Sequence, residues 1–132
     1  MRAEEYLGQI KKIDAIISNK SEEYIRLTEI AAGLGGFSVG DKVKSSRNLQ
    51  QIPNAIVKYV DIEREINELK RKRDEIIKTI EQLPYIEYKV IYMLYVGDST
   101  YKEIAYEFGM SYEWVKKHRK MGLRRIQGII GA

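Results

Sequence analysis

The chain of 132 residues carries 23 Lys and Arg against 19 Asp and Glu, which gives a net charge of +4 and room for one ordinary domain or two small ones. It contains no cysteine and a single histidine, His118, which excludes disulfide frameworks and thiolate zinc sites and argues against a histidine metal cage or a Ser-His-Asp triad. No run of 18 apolar residues and no apolar signal-peptide core is present. We therefore expect a cytoplasmic protein without a membrane segment.

The first predicted element is one long helix over residues 3–32. Its apolar residues recur in steps of three, four and seven, which is the heptad spacing of a helix with one buried stripe. The stripe consists of Tyr6, Ile10, Ile13, Ile17, Tyr24, Leu27, Ala31 and Leu34, with Lys20 at one polar position. Glycines 33, 35 and 36 follow the stripe, and glycine is favoured where a helix ends.

A connector poor in periodicity is predicted over about residues 33–52, and Pro53 suits the first turn of a second helix. The second apolar stripe comprises Ile56, Tyr59, Ile62, Ile66, Leu69, Ile76, Ile80 and Leu83, with Arg73 at its polar position. Two long helices of matched length with a loop between them predict an antiparallel, coiled-coil-like hairpin over residues 1–83.

Further apolar residues lie beside the two stripes, at Ile16, Val57, Val60 and Ile77. A two-helix hairpin buries only one face of each helix, so these positions indicate a second partner surface. Either the C-terminal module or a second copy of the chain could cover it. We favour the second copy, and hence a homodimer formed through the N-terminal helices.

The second predicted domain spans residues 84–132 and consists of three short helices. Pro84 disfavours helical geometry at Leu83, so the second long helix should end near Gln82. The short helices are expected at Tyr85–Val96, Tyr101–Phe108 and Tyr112 to about Ile130. Thr100 and Glu103 have the spacing of a capping box, Gly109 permits a tight turn, and Ser111 can cap the last helix. Helix, tight turn and helix, with small Ala105 and apolar Val115 at the crossing, predict a helix-turn-helix. The predicted fold class is all-α.

Positive charge is concentrated at the end of the chain, because residues 114–132 contain six basic and no acidic side chains. In a helix-turn-helix the start of the second helix meets base edges and the cations that follow meet phosphates. We therefore predict that Tyr112 and Glu113 face bases in double-stranded DNA. The full set of predicted DNA-binding residues is Thr100, Lys102, Ser111, Tyr112, Glu113, Lys116, Lys117, Arg119, Lys120 and Arg124.

Other chemical interpretations are weaker. The carboxylates are scattered over helix faces and no glycine-rich phosphate loop follows a strand, so the sequence indicates no enzyme, no catalytic residue, no metal site and no cofactor. Trp114 could touch a base, although packing is slightly favoured. Tyr85, Tyr88, Tyr92 and Tyr95 could stack on single-stranded nucleic acid, but their helical spacing favours packing.

The stretch LPYIEYKVIYMLYVGDSTYKEIAYEFGMSYEWVKKHRKMGLRRI resembles region 4 of bacterial sigma factors. The resemblance rests on Leu83-Pro84, Val90-Ile91, Tyr95, Tyr101-Lys102-Glu103-Ile104-Ala105, Gly109, Ser111, Val115-Lys116 and Gly122-Leu123-Arg124-Arg125-Ile126. The chain departs from the family pattern at Trp114, His118 and Gly122, where a small hydroxyl residue, an aliphatic residue and alanine are common. The resemblance implies a DNA-binding helix-turn-helix.

A long hairpin before such a module, with DKVKSSR in the connector, is similar to phage ArpU/RinA-type transcriptional regulators. That similarity implies a phage or prophage protein that activates late or packaging genes in a bacterial host. Two alternatives remain. One is a region 4 mimic that acts mainly by contacting RNA polymerase or a sigma factor. The other is a component similar to a small terminase subunit, although those usually place the helix-turn-helix first.

Overall fold

The computed structural model describes residues 1–33 and 45–131, and all regular secondary structure within these ranges is α-helical. Five helices follow one another in the part of the chain that the structure describes: α1 (Ala3–Ala31), α2 (Ser45–Glu81), α3 (Tyr85–Tyr95), α4 (Tyr101–Phe108) and α5 (Tyr112–Ile130). The predicted all-α class, with long N-terminal helices before a small helix-turn-helix module, is confirmed. The predicted bounds of α1 and of α3 to α5 agree with the structure to within one residue.

The start of α2 differs from the sequence prediction. The helix begins at Ser45, so Pro53 lies inside it rather than in its first turn. A proline within a helix removes one amide donor, here the one that would bond to the carbonyl of Leu49. The start was predicted at Pro53 because proline is favoured in the first turn of a helix. Residues 34–44 of the predicted connector, including Lys42 and Lys44 of the DKVKSSR motif, lie outside the described residues.

The chain divides into two compact units, of which the first contains residues 1–14 and 71–132 and the second contains residues 15–70. This division follows packing rather than chain order, because each long helix contributes to both units. The division into domains at residues 83 and 84 stays a prediction.

In the unit of residues 15–70, α1 and α2 run antiparallel. Lys20 Nζ lies 2.5 Å from Oε2 of Glu65, and the rings of Tyr24 and Tyr59 meet edge to face with their centroids 5.7 Å apart. A later residue of α1 therefore contacts an earlier residue of α2, as antiparallel helices require. Leu27, Ala55 and Ile66 are buried between them. Ile56 is 42% exposed, so its predicted place in the apolar stripe was wrong; the neighbouring Ala55 is buried instead.

In the unit of residues 1–14 and 71–132, the start of α1 and the end of α2 also run antiparallel. The hydroxyl groups of Tyr6 and Thr79 are 2.9 Å apart, and Nε of Arg73 donates to Oδ1 of Asp14 at 2.6 Å. Arg73, the polar residue of the second stripe, is therefore held by an acidic residue across the pair. Leu7, Ile10 and Ile80 are fully buried in this unit.

Helix α5 packs closely on α3 at Gly122. A β-carbon built on Gly122 would lie 3.7 Å from Cβ of Glu87 and closer still to Ile91, so this glycine is what lets the two helices approach. Ile91 and Ile126 are fully buried in the same unit. The packing fixes the orientation of α5, the helix on which most predicted DNA-binding residues lie.

Candidate DNA-binding face

The turn between α4 and α5 is built as the sequence predicts. Gly109 adopts the left-handed conformation, with φ of 64°, and its amide bonds back to α4. The amide of Met110 then donates to the carbonyl of Ala105 at 3.0 Å, which closes the end of α4. Ser111 begins the next helix, since its hydroxyl accepts from the amide of Trp114 at 3.1 Å. Helix α5 therefore leaves the turn with its start defined by a cap.

A small apolar cluster holds the two helices against α3. Val90 of α3, Ile104 of α4 and Val115 of α5 are all fully buried. Phe108 and Trp114 pack against this cluster and against each other, with their ring centroids 5.1 Å apart. The packing interpretation of Trp114 is thus supported, and Val115 anchors α5 as predicted.

His118 belongs to the same packing. Its ring lies 4.2 Å from that of Trp114, and its Nδ1 is 2.8 Å from the carbonyl oxygen of Trp114, one turn earlier in α5. The polar residue that replaces an aliphatic one in the family pattern is therefore accommodated by a backbone partner.

The cations of α5 line a surface concavity of about 410 Å³. Its walls are formed by Tyr101, Glu113, Lys116, Lys117, Arg119 and Lys120. Glu113, Lys116, Lys117 and Lys120 lie at spacings of three, one and three residues, which places them on one face of the helix. Five of the ten predicted residues are therefore brought together around one basic depression, which is suited to an anion such as a phosphate.

Tyr112 lies at the edge of this basic face. Its ring meets that of Tyr101 at 5.2 Å and 72°, and Nζ of Lys116 lies 4.8 Å above it. The second contact is a cation–π interaction, which holds the lysine over the ring. Tyr112 nevertheless remains 46% exposed.

Arg119 lies at the wall of the concavity but is already held by the protein. Its Nη2 donates to the hydroxyl of Tyr95 at 3.1 Å and lies 3.4 Å from Oε1 of Glu4. Burial alone would lower the pKa of Arg119, but the hydrogen bond and charge interaction with Tyr95, with smaller contributions from Tyr101 and Glu4, raise that pKa above its ordinary value. For Tyr95 the effects are reversed, because burial raises its pKa and the contact with Arg119 lowers it. Burial is the larger effect, so the pKa of Tyr95 lies above its ordinary value.

The remaining predicted residues lie outside the concavity. The hydroxyl of Thr100 accepts from the amide of Glu103 at 3.1 Å while the carboxylate of Glu103 accepts from the amide of Thr100, so Thr100 is the cap of α4. Ser111 has the same structural role for α5. Lys102 and Arg124 are exposed, the first on α4 and the second one turn beyond Lys120.

Sequence reasoning missed several residues that shape the site. Tyr101 could have been found, because it directly follows the cap of α4. Glu4 gave no local signal, since it precedes Arg119 by 115 positions in the chain. Arg125 was left out of the predicted set, and its Nε lies 2.7 Å from Oε2 of the buried Glu87. That contact is an ion pair rather than an aligned hydrogen bond.

No group of three or more acidic, histidine or cysteine side chains that could hold a metal occurs among residues 1–33 and 45–131. Within the same ranges, the helices are too short or too polar to span a bilayer.

Residues 73–126 match the family model of sigma-70 region 4. The match begins in the last part of α2 and covers α3, α4 and most of α5, so it contains the capped turn and the basic face. Neither the curated proteins nor the solved structures include a significant match to the chain.

Proposed function

With a sigma-70 region 4 domain at residues 73–126 as the premise, we propose that the protein is a sequence-specific DNA-binding regulator of transcription. The observation that carries the proposal is the concavity of α5, in which Lys116, Lys117 and Lys120 project from one helix face directly after a capped turn. When a helix-turn-helix binds DNA, the anion that meets such a face is the phosphate backbone of the DNA.

In the proposed complex the start of α5 enters the major groove. Tyr112 and Glu113 face base edges, and a glutamate can accept a hydrogen bond from the amino group of cytosine. Lys116, Lys117 and Lys120 contact phosphates, and the exposed Lys102 and Arg124 extend that contact along the backbone. The capped helix starts at Thr100 and Ser111 add amide groups that favour a phosphate.

Selection from a randomised duplex library tests the proposal. The full chain should enrich a defined sequence and then bind it more tightly than a shuffled duplex of the same composition. Affinity should fall steeply with salt, because about four to six neutralised phosphates give a log–log slope of roughly −4 to −5. Absence of enrichment, with equal affinity for both duplexes, would contradict sequence-specific recognition.

Replacing Lys116 and Lys117 together by alanine tests the site. A folded double variant should lose most of its affinity for the selected duplex. The matched control replaces Lys70 and Lys72, two exposed lysines of α2, and should leave the affinity unchanged. Equal affinity of the two double variants would reject the assignment of α5 as the DNA-contacting helix.

We further propose a homodimer formed through the N-terminal helices. The support is a set of large apolar side chains in the unit of residues 15–70 that are 42 to 62% exposed: Ile16, Ile25, Ile56, Val57 and Val60. Exposed apolar side chains in such number favour association. A dimer would bind two half-sites, so the selected sequence should be an inverted repeat. Light scattering should give the mass of two chains, and Val57→Glu with Val60→Glu should reduce it to one.

The finer assignment is an activator of phage late or packaging genes in the cytoplasm of a bacterial host. It is supported by the resemblance of the hairpin, its DKVKSSR segment and the C-terminal module to the ArpU/RinA-type regulators. A reporter placed behind the selected sequence in bacterial cells should be expressed more strongly when the protein is present. Lower expression would instead identify a repressor.

A second candidate function is direct contact with RNA polymerase. It is favoured by Tyr106, which is 90% exposed on α4, and by Met110, which is 51% exposed in the turn. Neither residue lines the basic concavity. Co-purification of polymerase without promoter DNA, lost on Tyr106→Ala, would support this contact, whereas binding that requires DNA would reject it.

A further inference from the structure

Arg119 differs from the lysines that surround it in how it is held. Its side chain is 28% exposed, and one nitrogen contacts both the hydroxyl of Tyr95 on α3 and the carboxylate of Glu4 on α1. Lys117 and Lys120, in contrast, are exposed and make no ion pair or hydrogen bond with another described residue. A phosphate could therefore bind the two lysines without competition from the protein, whereas one nitrogen of Arg119 is already engaged by Tyr95 and Glu4.

A second contact joins the same parts of the chain. The side-chain amide of Gln127 accepts from the backbone amide of Ala3 at 2.8 Å and donates to the carbonyl of Met1 at 3.1 Å. Gln127 follows Arg119 by eight residues, about two helical turns, so both lie on one side of α5. The start of α1 thus contacts α5 at two positions, Arg119 and Gln127, which are about two helical turns apart.

Burial shows that this contact is part of the fold. Ala3 is 5% exposed, and Leu7 is fully buried one turn later. Glu4 therefore lies in a turn of α1 that is flanked by buried apolar residues. The exposure of Glu4 is 49%, so its carboxylate is accessible to solvent and can be replaced without opening the core.

We propose that Arg119 is a positioning residue rather than a phosphate ligand, and that Glu4 is the acid that holds it. The first turn of α1 then fixes the orientation of α5 against DNA. This inference rests on the proposed DNA-binding function. It makes a prediction opposite to simple charge attraction, because removing the negative charge of Glu4 should weaken DNA binding.

The test compares Glu4→Gln with Glu5→Gln, in fluorescence anisotropy with the selected duplex. Glu5 is the exposed neighbour of Glu4 in the first turn of α1, so both variants change the net charge equally. Glu4→Gln should bind up to about fivefold more weakly than the wild type, the range of a partly exposed ion pair. Glu5→Gln should bind equally well or more tightly. Equal or tighter binding by Glu4→Gln would overturn the proposal.

The salt dependence of binding separates the two roles of Arg119. Arg119→Gln should weaken binding at every salt concentration and leave the log–log slope unchanged. Lys117→Gln should reduce the magnitude of that slope by about 0.9, the contribution of one phosphate contact. A reduction of the same size for Arg119→Gln would show that Arg119 binds a phosphate and would reject the positioning role.

Hydrogen exchange without DNA tests the contact independently of the proposed function. The backbone amides of residues 119–127 should exchange faster in Glu4→Gln than in Glu5→Gln. Equal exchange in the two variants would overturn the inference. If the wild type binds no duplex but the exchange rates differ, the DNA-binding function fails while the hold of Glu4 on α5 stands.

Discussion

A β-carbon on Gly122 would lie 2.7 Å from Cγ1 of Ile91, well inside van der Waals contact. Ile91 is fully buried, and Cγ1 lies in the middle of its side chain, so the isoleucine cannot simply swing away. Glycine is unfavourable within a helix by about 1 kcal/mol relative to alanine, but here it permits the close approach of α5 to α3. The departure from the alanine common at this position has a packing reason.

Gly122→Ala should therefore destabilise the protein. Overpacking costs about 1–3 kcal/mol, partly offset by about 1 kcal/mol of helix propensity, so the free energy of unfolding should fall by roughly 1–2 kcal/mol. Gly128→Ala in the same helix is the control, because nothing lies within 4 Å of its added β-carbon. It should raise stability by up to about 1 kcal/mol. Urea unfolding of both variants checks the prediction, which a stabilised Gly122→Ala protein would contradict.

Two substitutions of Ser111 distinguish its effect on helix stability from its effect on DNA affinity. Ser111→Ala should lower the free energy of unfolding by about 1 kcal/mol, because the amide of Trp114 loses its partner. Ser111→Asp retains a capping oxygen and should recover most of that stability. Its added negative charge at the start of α5 should nevertheless weaken duplex binding. Wild-type affinity in the aspartate variant would place the start of α5 away from the phosphates.

The start of α1 is expected to contribute strongly to stability although it lies outside the matched residues 73–126. Ile10→Ala should cost about 2–5 kcal/mol, since Ile10 is fully buried and the change leaves a cavity. Lys12→Ala in the same helix is the control, because Lys12 is exposed and lies outside the proposed dimer surface, and it should change stability by less than about 0.5 kcal/mol. Thermal unfolding followed by Trp114 fluorescence distinguishes the two. Similar small losses would mean that α1 is dispensable to the core.

Stability should decline in alkaline solution in part through Tyr95. Burial raises the pKa of Tyr95 above its ordinary value of 10.0, so above pH 10 the unfolded chain releases a proton that the folded chain retains. The free energy of unfolding therefore falls as the pH rises from about 10 towards the folded-state pKa. Tyr95→Phe should make this decline shallower. The control, Tyr106→Phe, changes a ring that is 90% exposed and should leave the decline as in the wild type.

Local signals allowed much of the C-terminal module to be predicted. Thr100 with Glu103, Gly109 and Ser111 each determine a helix end through contacts within a few residues, and all three ends were predicted at the observed positions. Pro53 misled the prediction for the same reason. A local preference for the first turn of a helix does not reveal that the preceding residues are helical too.

Contacts between distant parts of the chain could not be predicted from local sequence signals. The heptad stripe of α1 omitted Leu7, which is fully buried. A single apolar stripe predicts only the residues that pack against one neighbouring helix. The start of α1 also contacts α5, because the amide of Ala3 bonds to Gln127. Arg119 was predicted to contact phosphate because arginine on an exposed helix face usually can. Its partners Tyr95 and Glu4 are known only from the fold.

The side-chain amide of Gln127 donates to two carbonyl oxygens, that of Met1 at 3.1 Å and that of Gly131 at 2.9 Å. Residues 1 and 131 therefore lie within a few ångströms of each other, close enough for a short glycine-rich linker to join them. A backbone closed in this way would keep every described contact and lose entropy only in its unfolded form. In the chain-entropy description of such a closure the gain is up to about 4–5 kcal/mol. An engineered chain of these residues, closed in this way and opened at the exposed Gly97 and Asp98, would carry the helices in a permuted order.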